Sequence, residues 1–389
     1  MQPSDPIIVG TGHTRFGKLA QGLEELIREA GAEALADAGI DGSQVDAVWL
    51  GHFNSGLVPD GFCSSMAIGI DEALRFKPAI RCENACASGA AAVYSALDAV
   101  RSGRVRTALV IGAEKMTSRD TVGVTQALSG AAYQPEEAQM SFPDIFARFA
   151  QAYDKRFGSP VEAMARIAVK NHGNALSNPL AHLHKPLDLD FCLEPSERNP
   201  MISPPLKVTD CSLISDGAAA IVITRADMVG DFRRAVRFRT AEQVNDVLPL
   251  SRKELVDFAG PRLAFRKAYA AAGVRLEDID FAEVHDCFTI AELLTVEAMG
   301  LAEPGQGAHV LREGQTERGG RLPVNLSGGL KAKGHPVGAT GVSMHALVTR
   351  QLTGRAGDIQ LPDARLGLCF NMGGGAVVSC VSILETLKL

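Results

Sequence analysis

Largely apolar runs bounded by small or acidic turns recur along the chain: PIIVGTG near the start, DAVWLGH and DFAEVHD further in, SDGAAAIVITRA at 215–226 and MGGGAVVSCVSI at 372–383. Such runs predict strands, several of them buried on both faces. Two stretches between them superpose without a gap, ALADAGIDGSQVD at 34–46 and AYAAAGVRLEDID at 268–280. Each predicts a helix that stops at a glycine, Gly39 or Gly273, where a positive φ is cheap, then an acidic turn into a strand. The resemblance between 215–226 and 372–383 follows in the same order, so the chain is expected to be a duplicated α/β unit.

Each half also carries a charge-poor helix after an elbow of small residues. One covers residues 87–101 after AIRCENAC; the other follows SGGLKAKGHPVGATG. Helices poor in charge all round are packed on all sides, and their N-termini are expected to point inward, toward each other. The expected division is a first half of 1–115 plus 206–255, an inserted helical and loop subdomain at 116–205, and a second half of 256–389. In the insert, Met140, Phe142, Phe146, Phe149 and Tyr153 fall at near-helical spacing. That stripe is read partly as the subdomain's own core and partly, at Met140 and Phe142, as the wall of an apolar substrate pocket.

Composition removes several classes of function. Thirty-nine basic against 45 acidic residues give a net charge of −6, and no basic run offers a phosphate-binding surface, so nucleic acid is not an expected partner. No apolar stretch approaches a membrane span, and no leader segment is expected ahead of the first strand. Eight dispersed cysteines without C-x-x-C spacing fit reduced thiols in a cytoplasmic protein and no short-spaced zinc motif. The glycine runs form neither a P-loop nor a dinucleotide fingerprint.

The remaining chemistry lies in four segments. ENACASG places Cys86 among small residues at the head of a helix, where N–H groups favour a thiolate and a reactant can approach the sulfur; a buried structural cysteine is the competing reading. GHPVGATG fixes His335 at the head of the second buried helix, placed to accept a thiol proton. VHDCF puts a histidine, an acid and a thiol at a strand's C-terminal end, where open α/β sheets place their ligands. Alternation sends His285 and Cys287 to one face and Asp286 to the other, in a structural role. LCFNMGGG brings Cys369 toward glycines whose N–H groups suit an oxyanion or serve close packing alone.

ENACASG, GAEKMT, SDGAAAIV, VHDCF, NLSGGLKAKGHPVGATG and CFNMGGGAVV, in this order, resemble the thiolase family over nearly the whole chain, and VHDCF resembles its sterol-carrier-protein type. The resemblance implies a five-layered αβαβα fold of two similar halves and reversible carbon–carbon bond chemistry on acyl-coenzyme A, with no cofactor beyond the thioesters themselves. It implies that Cys86 takes the acyl group and His335 its proton. His285 would help to hold a thioester enolate, and a second thiol, Cys287 or Cys369, would move the α-carbon proton, with Cys287 favoured. The backbone N–H of Cys86 and one from the 371–373 turn would form an oxyanion hole. Many thiolases carry C-x-G near the end; here Asn371 takes the glycine position, or the turn shifts so that Gly373 serves. Ser327 and Gly328 are further candidates for substrate binding. A homodimer or homotetramer paired through edge strands is implied. The rival expectations are a ketosynthase-like condensing enzyme acting on carrier-protein substrates and a noncatalytic subunit of a larger complex.

Overall fold

The computed structural model describes residues 2–387. Nine strands form one ladder: β1 (Pro6–His13), β2 (Ala47–Gly51), β3 (Ala79–Cys82), β4 (Thr107–Glu114), β5 (Gly217–Arg225), β6 (Val236–Asn245), β7 (Phe281–Val284), β8 (Leu366–Gly373) and β9 (Val378–Thr386). Their spatial order is β3-β2-β4-β5-β1-β6-β9-β8-β7, and its two ends mirror one another. β2 and β4 run parallel, with β5 and β1 following antiparallel. β7 and β8 run parallel, with β9 and β6 following antiparallel. The two sets meet only where Ile7 and Ile8 face Arg237 and Val236.

The longer helices are α1 (Leu23–Ala38), α2 (Ser88–Arg101), α3 (Thr121–Ser129), α4 (Phe142–Phe157), α5 (Val161–Ala175), α6 (Ala259–Ala272), α7 (Thr289–Ala298) and α8 (Thr340–Leu352). The duplicated segments fold alike. α1 ends at Gly39 with φ 74° and α6 at Gly273 with φ 65°, and each passes through a short 3₁₀ turn into a parallel strand, β2 or β7. α1 buries Leu23, Leu26, Ile27, Ala30, Ala34 and Leu35, the i, i+3, i+4 stripe of an amphipathic helix, against β1, β4 and β5. Complete burial of Leu26 and Ile27 contributes about 2 kcal/mol each. α6 covers β6 and β9 in the same way on the far side.

α2 and α8 occupy the middle. α2 packs on β2 and β4 and reaches across to β9 through Tyr94 Oη, 2.9 Å from Ser382 Oγ. α8 touches strands of both sets. The order of layers is therefore helix, sheet, helices, sheet, helix: the duplicated αβαβα arrangement of the thiolase fold. The two central helices meet at their N-termini. A Cβ on Gly89 would stand 2.8 Å from Gly338 O, and one on Gly341 would stand 2.5 Å from Asn371 Oδ1 and overlap the backbone of Ala90.

The boundary between halves differs from the sequence division. Strand β6 lies inside 206–255 but pairs along its length with β9, so that part of the segment belongs to the second sheet. Alternating burial in β6 shows a strand; nothing in it specifies a partner. The insert runs between β4 and β5, and α4 carries the aromatic stripe. Phe146, Phe149 and Tyr153 are buried in the core, with Phe146 stacked on Phe288 at 4.6 Å between centroids. Among the described residues, no helix is long and apolar enough to cross a membrane.

Gly341→Ala should force the central helices apart. The expected loss is about 1–3 kcal/mol of stability, read as a lower denaturation midpoint in urea. Unchanged stability would show that the crossing has room to give.

Candidate active site

The chain leaves β3 and turns sharply at residues 84–88. Ser88 Oγ accepts from Asn84 N–H at 2.8 Å and donates to Ala85 O at 2.6 Å. Ala85 holds φ 49°, in the left-handed region, at a cost of about 1 kcal/mol. The turn puts Cys86 at the mouth of the helix crossing, where its sulfur meets its own N–H and that of Gly374. Burial pushes its pKa up to about 12, with Glu114 and Glu83 adding to the rise and the two N–H groups opposing it.

Two histidines complete a cluster. Cys86 Sγ and one nitrogen each of His285 and His335 lie within 4.8 Å of one another, and the two rings stand edge to face at 5.1 Å. Hydrogen bonds assign the tautomers. Thr340 Oγ1 donates to Pro336 O at 3.1 Å, so it accepts from His335 Nδ1–H at 2.7 Å, which leaves His335 Nε2 as a base. Asn371 Nδ2 donates to Cys86 O at 3.1 Å and to His285 Nδ1 at 3.0 Å, which leaves the proton of His285 on Nε2 as a donor. One imidazole thus takes a proton while the other offers one. Burial, with Lys333 beyond, lowers His335 to about 3. Burial, His335 and Lys333 lower His285 well below its usual value. Both rings are neutral near pH 7. A protonated Nε2 on His285 is no ligand, so the trio suits acid–base work better than holding a metal.

Three buried carboxylates hold the loops that carry these groups. Glu114, at the end of β4, accepts from the N–H groups of Phe53, Asn54 and Gly338, and pairs with His52 Nδ1 at 3.0 Å. Asp216 accepts from the N–H groups of Leu19, Met116 and Thr117 and from Lys115 Nζ at 2.8 Å. Asp286 accepts from the N–H groups of Leu330 and Lys331 and from Asn171 Nδ2. Removing any of them would strand several buried donors at about 1–3 kcal/mol apiece.

A cavity of about 410 Å³ opens onto two of the three, Cys86 and His335, with Cys287 and Gly374 also in its wall beside Phe142, Phe146 and Phe288, while His285 sits behind it. Cys287 is the thiol brought to the nucleophile: it is 6% exposed, and its pKa is raised by burial and by the nearby sulfur of Cys86. Cys369 is not brought there. It lies two residues behind Asn371 on the same face of β8, about 6.5 Å deeper, in the core beside Glu283 and Lys333 and outside the cavity wall.

Other expected residues are placed differently. Asn371 positions Cys86 and His285 instead of lining an oxyanion hole, and the second N–H at the sulfur comes from Gly374, not from the 371–373 turn. Gly373 faces a separate cavity beside Asn84 and Ala85. Ser327 is drawn inward, its N–H and Oγ both donating to Glu283 at 3.0 and 2.6 Å, and Gly328 packs against Ala175. Neither lines the cavity. Phe142 does; Met140 packs on the core outside it. Thr340 and Glu114 were not singled out from the sequence, although both sit inside quoted motifs, GHPVGATG and GAEKMT.

Residues 6–186 match the family described as "Thiolase, N-terminal domain" and residues 241–386 that described as "Thiolase C-terminal domain-like". An acetyl-CoA acetyltransferase of Methanothermobacter thermautotrophicus is 37% identical over 98% of this chain and 99% of its own. Human sterol carrier protein 2 is 34% identical over 95% of this chain and 70% of its own. The solved structure titled "Ltp2-ChsH2(DUF35) aldolase" shares the fold at a TM-score of 0.84 with 24% identity, covering 99% of each chain.

With Cys86 at about 12 and His335 at about 3, the resting pair is thiol and neutral imidazole. Alkylation of Cys86 by iodoacetamide should therefore climb about tenfold per pH unit between pH 7 and 9, as the thiolate fraction grows. A rate already level at pH 7 would mean a resting thiolate–imidazolium pair instead.

Proposed function

The chain belongs to the thiolase family, and from that premise we propose that Cys86, His335, His285 and Cys287 carry out thiolysis of a 3-ketoacyl-CoA, or the reverse condensation of two acyl-CoAs. Its relatives support an acyltransferase; the residue roles and the acetyl-CoA acetyltransferase type are the proposal. The observation that carries it is the pair of opposite tautomers around one thiol.

In the thiolysis direction, Cys86 Sγ attacks the 3-keto carbonyl and its proton passes to His335 Nε2. The developing oxyanion lies against the N–H groups of Cys86 and Gly374, each such donor contributing about 3 kcal/mol to the transition state. The bond between the α-carbon and the 3-carbon then breaks, leaving an acyl-Cys86 thioester and the enolate of the departing acyl-CoA. His285 Nε2–H and the protonated His335 face the enolate oxygen. Cys287, kept protonated by burial, gives its proton to the α-carbon. Coenzyme A then attacks the acyl-Cys86 carbonyl and Cys86 leaves as the thiolate, which recovers a proton from His335; the thiol proton of the coenzyme restores Cys287. Condensation is the same path reversed.

Self-association through the free edge of β3, where Ile80 stands half exposed, belongs to the same proposal.

Intact-mass measurement after brief incubation with acetyl-CoA should show one added acetyl group, absent in Cys86→Ala. Cys287→Ala should still take up the acetyl group yet lose about 10²-fold or more in steady-state thiolysis. Full thiolysis activity in Cys86→Ala would remove the proposal. Near-normal turnover in Cys287→Ala would move the α-carbon proton to another group.

A further inference from the structure

Four lysines are buried: Lys115, Lys207, Lys331 and Lys333. Lys115 pairs with Asp216 at 2.8 Å, Lys207 with Asp210 at 3.1 Å, and Lys333 Nζ donates to Ser343 Oγ at 2.9 Å. Lys331 is 3% exposed and lines the 410 Å³ cavity. Among the described residues its Nζ has neither a hydrogen-bond partner nor a carboxylate within 4.0 Å. The acids that it senses are already occupied. Asp210 is held by Lys207 and by Thr289 Oγ1 at 2.9 Å, and Asp286 by Asn171 and two backbone N–H groups.

A second unmet group lies in the same wall. His172 lines the cavity, its Nδ1–H donates to Lys185 O at 2.8 Å, and its buried Nε2 has no partner. Lys331 lies close enough to depress its proton affinity. A buried ammonium without a counter-charge is costly unless something completes it.

On the reading of this cavity as the acyl-CoA site, we propose that Lys331 receives a carboxylate at the far end of the acyl chain, so that the preferred substrates are dicarboxylic acyl-CoA thioesters. The bound carboxylate would let His172 take up a proton from solvent, making Nε2–H a second donor. The phosphates of coenzyme A have the same anionic chemistry, but they are bulky and strongly hydrated. The exposed Lys185 and Arg198 on the same cavity suit them better than a largely buried cation in its wall.

The test uses Cys86→Ala, which cannot turn substrate over, and titrates length-matched thioester pairs by calorimetry: succinyl- and butyryl-CoA, glutaryl- and pentanoyl-CoA, adipoyl- and hexanoyl-CoA. At least one carboxylated member should bind roughly tenfold or more tightly than its methyl-ended partner. Adding Lys331→Met should bring that ratio to about one, whereas Lys331→Arg should keep most of it. Equal affinities in every pair would overturn the assignment. So would a loss in Lys331→Met that falls equally on both members and on free coenzyme A, since it would assign the lysine to the phosphates. This ratio is independent of acyl transfer, so failure of Cys86 to be acylated would sink the catalytic proposal and leave the binding result to be judged alone.

Discussion

The contact between backbones where α2 and α8 cross is the constraint on which the rest of the molecule depends. Glycines at 89 and 341 let the helix starts approach more closely than any side chain would allow. Because each helix is fed by its own elbow, the crossing brings Cys86 from the first half to the same point as His335 from the second. His285 and Asn371 arrive from neighbouring parallel strands, β7 and β8, whose C-terminal ends open toward the same place. Had the helices been held apart by methyl groups, the thiol and the imidazole would still exist but would not share a proton.

Burial that strengthens hydrogen bonds in this site also makes charge expensive. The fold answers by keeping the reacting groups neutral at rest and placing the buried acids one layer back. Glu114, Asp216 and Asp286 each gather backbone N–H groups from loops with no regular partners of their own. The loops are thereby fixed from behind the site, with Glu114 acting on the sulfur only at a distance, by raising its pKa. Lys331 is the exception, a buried charge in the cavity wall itself.

Much of this was legible in the sequence because it depends on neighbours along the chain. Two helices ending at Gly39 and Gly273, the small-residue elbow before Cys86 and the histidine ahead of Pro336 are local features with local physical causes. The pairings across the chain were less legible. Nothing near β6 says that it joins β9, and the choice between Cys287 and Cys369 turns on depth along a strand, which alternation alone does not report. Asn371 was expected to meet substrate, but its amide nitrogen is taken up by Cys86 O and His285. The hydroxyl that fixes the His335 tautomer lies five residues on, recognisable only once the helix start is folded. An unpaired lysine is harder still, since sequence shows which charges exist and not which have found partners.

The insert between β4 and β5 begins and ends on one rung. Glu114 and Gly217 are opposite one another in the antiparallel ladder, so the chain departs and returns at a single point of the sheet. The sheet's own geometry already closes the loop, so lengthening the excursion adds only a slowly growing entropic cost, with no strand displaced. The insert is therefore, in mechanical terms, a module clipped to a fixed chassis: residues between Thr117 and Asp216 can change what enters the cavity while the thiol, the imidazole and the Asp216 clamp at its root stay in place.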